Sequence, residues 1–163
     1  MQLKNFKPFE FVDEATYKLH GDKSIGIMDK SLLVFIDSFH EHLQTKYKGS
    51  RISINVNDWK WGGRFSWRGI RTTKYYATPA DFDRSRSQHK YGRGLDFDVY
   101  IDGTRVDPTT VRSWIIDLRH EPWVEPITFI EDGVNWVHVD TRYDPVNFLV
   151  LWHVGTGESV CYQ

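Results

Sequence analysis

Cysteine is nearly missing from this chain. Cys161 stands alone among 163 residues, which excludes an internal disulfide framework and a cysteine-built zinc finger. Neither sign of charge is in excess: 21 Lys and Arg face 22 Asp and Glu, a formal charge of −1 with a pI near 6.6. A dominant electrostatic grip on nucleic acid needs clustered basic excess, so that class of partner is set aside. No apolar run approaches the roughly 20 residues that span a bilayer, so no membrane insertion is expected. The N-terminus, Met1 to Glu10, lacks the basic start and long apolar stretch of a secretory signal. The expectation is synthesis in the cytoplasm, with any delivery elsewhere made by something other than a signal of its own. Repeats, low-complexity tracts and linkers are missing too, and the length fits one domain over residues 1–163.

What is present is a globular composition. Apolar residues make up 40% and charged residues 26%, which argues against disorder. Aromatics reach 15%, with 7 Trp, 8 Tyr and 10 Phe, enough for a sizeable core and a surplus suited to a binding cleft. Leu32, Phe35, Ile36, Phe39 and Leu43 recur at helical spacing after Asp29 or Ser31, either of which can cap a helix ending near Tyr47. Ile52, Ile54 and Val56 alternate with polar residues as in a half-buried strand. Residues 58–87 show neither period and read as a long loop. Leu95, Phe97, Val99 and Ile101 alternate with Asp96, Asp98 and Tyr100 in a second strand, closed by a turn at Asp102-Gly103. Asp107-Pro108 opens a second helix with Val111, Trp114, Ile115 and Leu118 on its buried side. A hairpin over 128–140 and a last apolar segment from Phe148 to Val154 complete the order. The fold class expected is a single-domain α+β protein with a mostly antiparallel sheet flanked by helices.

Of the seven histidines, five have no evident chemical company; His40 and His42, two apart on a helix, do not face one another and read as surface positions. His89 is different. It precedes Gly92 and Gly94, which let the chain bend so that His89 folds back towards Asp96. In Trp136-Val137-His138-Val139-Asp140, residues 136, 138 and 140 share one strand face. If the two strands are neighbours, His89, Asp96 and His138 converge. Two imidazoles and a carboxylate make a common catalytic zinc set that leaves the fourth position to water. The same residues also read as a loop histidine, a turn-capping carboxylate and a half-buried strand histidine.

The stretch from Ser87 to Asp96 resembles the Ser-x-His-x-x-Gly-x-Ala-x-Asp signature of the zinc D-alanyl-D-alanine carboxypeptidase family, which includes murein peptidases and many phage endolysins. Ser87, His89, Gly92 and Asp96 match it, and Gly94 stands where alanine is usual, a small-for-small change. The segment from Trp136 to Thr141 resembles the family's second signature, and Gly69-Ile70-Arg71 resembles its Gly-x-Arg segment. The resemblance covers roughly residues 52–142. It implies a DD-peptidase-like fold and a Zn2+ ion held by His89, Asp96 and His138. It also implies hydrolysis of peptide bonds in the stem peptides of bacterial peptidoglycan, by a phage lysis protein acting at the cell wall after release or by a virion enzyme. Arg71 would stabilise the oxyanion or hold a substrate carboxylate.

The base is where the sequence departs from the family. Many members carry an acid three positions before the last histidine, and here that position is Asn135. Asp140 is the first substitute, as base or as a carboxylate orienting His138. Glu131 is the second; a two-residue turn at Asp132-Gly133 is expected to set it opposite Val134, far from His138. Asp98 is a further carboxylate expected to support the metal. The loop from Trp59 to Tyr76 would line the cleft or pack over the sheet. The alternative function, favoured by Asn135, is a non-catalytic zinc-binding module for a peptide or protein partner.

Overall fold

The computed structural model describes residues 2–143 and 148–162. It is a single-domain α+β fold with a mixed, mostly antiparallel seven-stranded sheet and four α-helices. The helices are α1 (Glu14–His20), α2 (Lys30–Lys46), α3 (Pro79–Arg84) and α4 (Pro108–Asp117). The strands are β1 (Ile52–Asn55), β2 (Gly94–Ile101), β3 (Thr104–Arg105), β4 (Phe129–Asp132), β5 (Val137–Asp140), β6 (Leu149–His153) and β7 (Ser159–Tyr162). Their order is β1-β2-β5-β4-β6-β7, with β3 also on β2; the pair β4–β6 alone is parallel. No helix among the described residues is long and apolar enough to cross a membrane.

The sheet has one apolar and one polar face because its strands alternate with period two. Ile52, Ile54, Leu95, Phe97, Val99, Ile130, Val137 and Val139 are buried in one core with Leu32, Phe35, Ile36, Phe39 and Leu43 of α2. Phe35 and Phe39 stack with ring centroids 5.7 Å apart, and Phe97 meets both rings at 6.4 and 6.3 Å. Each such side chain contributes roughly 2–3 kcal/mol on burial. Asp29 caps α2 by accepting from the Ser31 N–H at 2.8 Å, as expected. His40 departs from expectation: it is buried against the Phe6 ring, because the N-terminal segment folds over α2, and burial lowers its pKa.

Residues 58–87 are not uniform loop. Short helical turns at Trp59–Trp61 and Thr73–Tyr75 and the helix α3 lie within them. Thr78 caps α3 and Pro79 occupies its first turn, a local signal that carries no apolar period. The edge strands β3 and β7 are also additions to the sequence reading. β7 is mostly exposed and short, so alternation gives little warning of it.

Candidate metal centre

The two strands that had to be neighbours are neighbours. β2 and β5 pair antiparallel with Asp96 opposite His138, and Gly94 opposite Asp140. The turn Gln88–Tyr91 ahead of β2 brings His89 to the same place. Gly92 makes that turn at φ 68°, and a Cβ there would lie 2.1 Å from the Ile27 carbonyl oxygen. Gly94 does not bend the chain. It allows a close approach: a Cβ would stand 2.9 Å from the His89 nitrogen and 3.1 Å from its ring. The exchange of alanine for glycine at 94 is therefore not a neutral one here, because the turn packs tighter on β2 than a methyl group permits.

His89, Asp96 and His138 are all buried and form a group that could hold a metal ion. His89 Nε2 lies 3.2 Å from Asp96 Oδ1, His138 Nδ1 lies 2.7 Å from the same oxygen, and the two nitrogens are 3.3 Å apart. Three donors at about 2.0–2.1 Å from one tetrahedral ion stand about 3.3 Å from each other; two of the separations match this, and the His138–Asp96 pair is tighter, at a hydrogen-bond distance of 2.7 Å. The outer side of each imidazole is also committed. His89 Nδ1 lies 2.6 Å from the Gly69 carbonyl oxygen, which can only accept, so Nδ1 carries the proton and Nε2 is free to ligate. His138 Nε2 lies 3.2 Å from Asp140 Oδ2, which leaves Nδ1 facing the cluster. Burial alone would raise the Asp96 pKa, but the two histidines hold it far below the usual carboxylate range. Burial would lower that of His138, but hydrogen bonds to Asp140 and Asp96 outweigh it and raise it to about 9. Positive charge is strongly favoured at this point, whether a proton or a cation carries it.

The segment Arg68–Arg71 fixes the first histidine from outside. Besides the Gly69 carbonyl on the ring, the Arg71 N–H donates to the His89 carbonyl at 3.1 Å, and the Arg68 carbonyl accepts from the Asp96 N–H at 2.7 Å. Arg71 itself donates from Nη2 to Asp96 Oδ2 at 2.8 Å and from Nε to the Trp67 carbonyl at 3.0 Å, with its guanidinium 4.8 Å from the Tyr75 ring centre. Arg71 is thus held between Asp96 and an aromatic ring, at the edge of the group.

The other carboxylates separate clearly. Asp140 is fully buried, with His138 on one side and Arg142 gripping it from Nε at 2.8 Å and from Nη2. Burial raises its pKa, and the bonds from Arg142 and His138 overcome this and lower it. Glu131 is not opposite Val134. The loop between β4 and β5 spans residues 133–136, wider than a two-residue turn, and the register sets Glu131 directly opposite His138. Such cross-strand pairs bring Cβ atoms within about 5.5 Å. The wider loop is gripped by Arg112 of α4, a residue the sequence reading missed. Buried at 3% exposure, it donates to the carbonyls of Glu131 (2.7 Å), Val134 (2.6 Å) and Trp136 (2.8 Å). Its adjacency to Val111 on the buried side of α4 was the available signal.

Asp98, expected to support the metal, is instead bonded to guanidiniums and has no bond to His89, Asp96 or His138 among the described residues. It is paired with Arg68 at 2.6 Å and with Arg105, whose Nε donates at 2.9 Å. Over the metal group lies a cleft of about 300 Å³ whose walls include Arg71, Arg86, Glu131, Trp136 and Arg142. From the Trp59–Tyr76 loop, Trp59 packs inward with its indole N–H on the Val12 carbonyl, whereas Arg64, Phe65 and Arg68 wall the next cavity along the sheet. Comparisons with family models, with curated proteins and with solved structures return no match to this chain.

Proposed function

We propose that this protein is a zinc-dependent peptidase that cleaves peptide bonds in the stem peptides of bacterial peptidoglycan, as a phage lysis or virion enzyme. The observation that carries the reading is the buried trio of His89 Nε2, His138 Nδ1 and Asp96 Oδ1, each imidazole anchored by its second nitrogen, at the floor of an open cleft. The signatures around Ser87–Asp96 and Trp136–Thr141 support the substrate class by their resemblance to the carboxypeptidase family. His89, Asp96 and His138 would hold a zinc ion, which would supply Lewis acidity and make a water lose its proton nearer neutrality. Glu131, across the strand pair from His138 and in the cleft wall, takes the proton of the attacking water and returns it to the leaving amine. Asp140 orients His138 instead of acting as base, since its oxygens are taken up by His138 and Arg142. Arg71 keeps Nη1 for the carbonyl oxygen that gains charge, its Nε and Nη2 being committed to Trp67 and Asp96.

The test is incubation of the purified full chain with bacterial cell walls, with chelator and after zinc is restored. Release of new amino termini that stops with chelator and resumes with zinc is the expected result. Stoichiometric zinc with no release from any wall type would overturn the peptidase reading and favour the non-catalytic module.

A further inference from the structure

The polar face of the sheet continues beyond the metal cleft. Trp136 walls both that cleft and a neighbouring cavity of about 370 Å³, so the two adjoin on this face as a trench with Trp136 between its two ends. Asp98 is the floor of the second cavity, two residues along β2 from Asp96 on the same face, a step of about 7 Å at ~3.3 Å per residue. Around it stand Arg64, Arg68 and Arg105, with Asp98 the one acid in the wall, so three positive charges meet one negative and two are left over. Asp98 organises two of the guanidiniums, and Arg105 is further fixed by the Asn135 carbonyl. Arg68 lies 3.5 Å from the Phe65 ring centre and Arg64 5.1 Å from the same ring. Arg64 is exposed and has no acidic partner among the described residues. Preorganised guanidiniums with spare donors beside an aromatic wall are built to receive an anionic oxygen pair.

We infer that this arginine-walled end of the trench is a binding subsite for a carboxylate carried by the bound peptide. The acidic residue lies about two extended residues from the scissile bond, given ~3.3 Å per residue. The inference rests on the peptidase reading for the position of that bond, but not for the binding itself. Asn135, which stands where the family has an acid, lines this subsite and not the metal cleft, so the departure at 135 keeps the subsite free of a second negative charge.

The test uses the full zinc-loaded chain and pairs of short peptides identical except for Glu or Gln at one position, that position being moved stepwise from the cleaved bond. Binding is read by tryptophan fluorescence and cleavage by amine release. The Glu peptide is expected to bind roughly tenfold more tightly than its Gln partner, as for a desolvated arginine–carboxylate fork, with the advantage confined to one position. Arg64→Ala should erase most of that advantage, Arg64→Lys should restore part of it, and Arg64→Glu should reverse it. Equal binding of the two peptides at every position, no binding of either, or an advantage surviving both Arg64→Ala and Arg64→Glu overturns the subsite. Acid preference in binding with no cleavage of any peptide sinks the peptidase reading alone. Cleavage without acid preference sinks the subsite alone.

Discussion

Asp96 and Asp98 are as alike as two carboxylates in one protein can be. They lie on one strand, on one face, and are 5% and 4% exposed. One meets two imidazoles on Oδ1 and a single guanidinium, Arg71, on Oδ2, and the other meets two guanidiniums and no imidazole. The difference decides their chemistry. Guanidiniums are permanently charged and compensate Asp98 with no further ion, so that pair is complete as it stands. On Asp96, Arg71 occupies Oδ2 only; Oδ1 faces two imidazoles, which can be neutral ligands, and that side of the group is completed by a proton or a metal. Glu10 gives a third case elsewhere in the molecule. Its partner is the Lys7 backbone N–H at 2.7 Å, and burial raises its pKa to about 7 against that bond and the Lys7 charge. What surrounds a buried carboxylate, not its burial, separates a metal ligand from an ion-pair hub and from an acid that gives up its charge.

The strongest way to break this contrast is to remove an imidazole. His89→Ala or His138→Ala should lower bound zinc from one equivalent to none by elemental analysis, with loss of wall hydrolysis; full occupancy in either would undo the ligand assignment. Next, Glu131→Gln should keep zinc but reduce turnover by roughly a hundredfold or more. Asp140→Asn should weaken zinc affinity by about 10–100-fold. A near-normal rate for Glu131→Gln together with a collapse for Asp140→Asn would exchange the two roles.

On the arginine side, Asp98→Asn should leave zinc content unchanged while denaturant titration shows a loss of about 3 kcal/mol, because two guanidiniums lose their shared partner. Any loss of zinc would show that the two halves are not separate. Glu10→Gln keeps the acceptor for Lys7 but not the charge. An acid whose folded pKa is raised costs stability as pH climbs from its unfolded value to its folded one. The wild type should therefore weaken between about pH 4.5 and 7 by roughly 2 kcal/mol relative to the variant, measured by melting at a series of pH values. The smallest effect is expected for Gly94→Ala, roughly 1 kcal/mol of crowding against His89, seen as weaker zinc binding more than as unfolding.

Much of this was legible before any coordinates. α2 and β2 are strongly periodic, and periodicity is set by burial of one face, so Leu32, Phe35, Phe39, Leu95 and Phe97 announce the core. His89, Asp96 and His138 were legible as a set because strand alternation puts 96 and 138 on polar faces and the glycine turn returns 89. Glu131 was not, because the contacts its loop makes come from Arg112, about twenty residues earlier on α4, and leave no local signal. Local turn chemistry at Asp132-Gly133 pointed to a shorter connection than the one Arg112 grips. Asp98 was misjudged for a related reason: strand position fixes the face of a side chain but not which loop residues, here Arg68, fold over to meet it.

Arg112 has one more consequence. It holds the end of β4 and the segment after it by the carbonyls of Glu131, Val134 and Trp136 and by the Asp132 carboxylate, and none of these contacts uses the side chains of Val134 or Asn135. Selection can repaint those positions, acid to amide or back, without rebuilding the frame. A scaffold gripped in this way changes its selectivity by single substitutions while its working core stays in register.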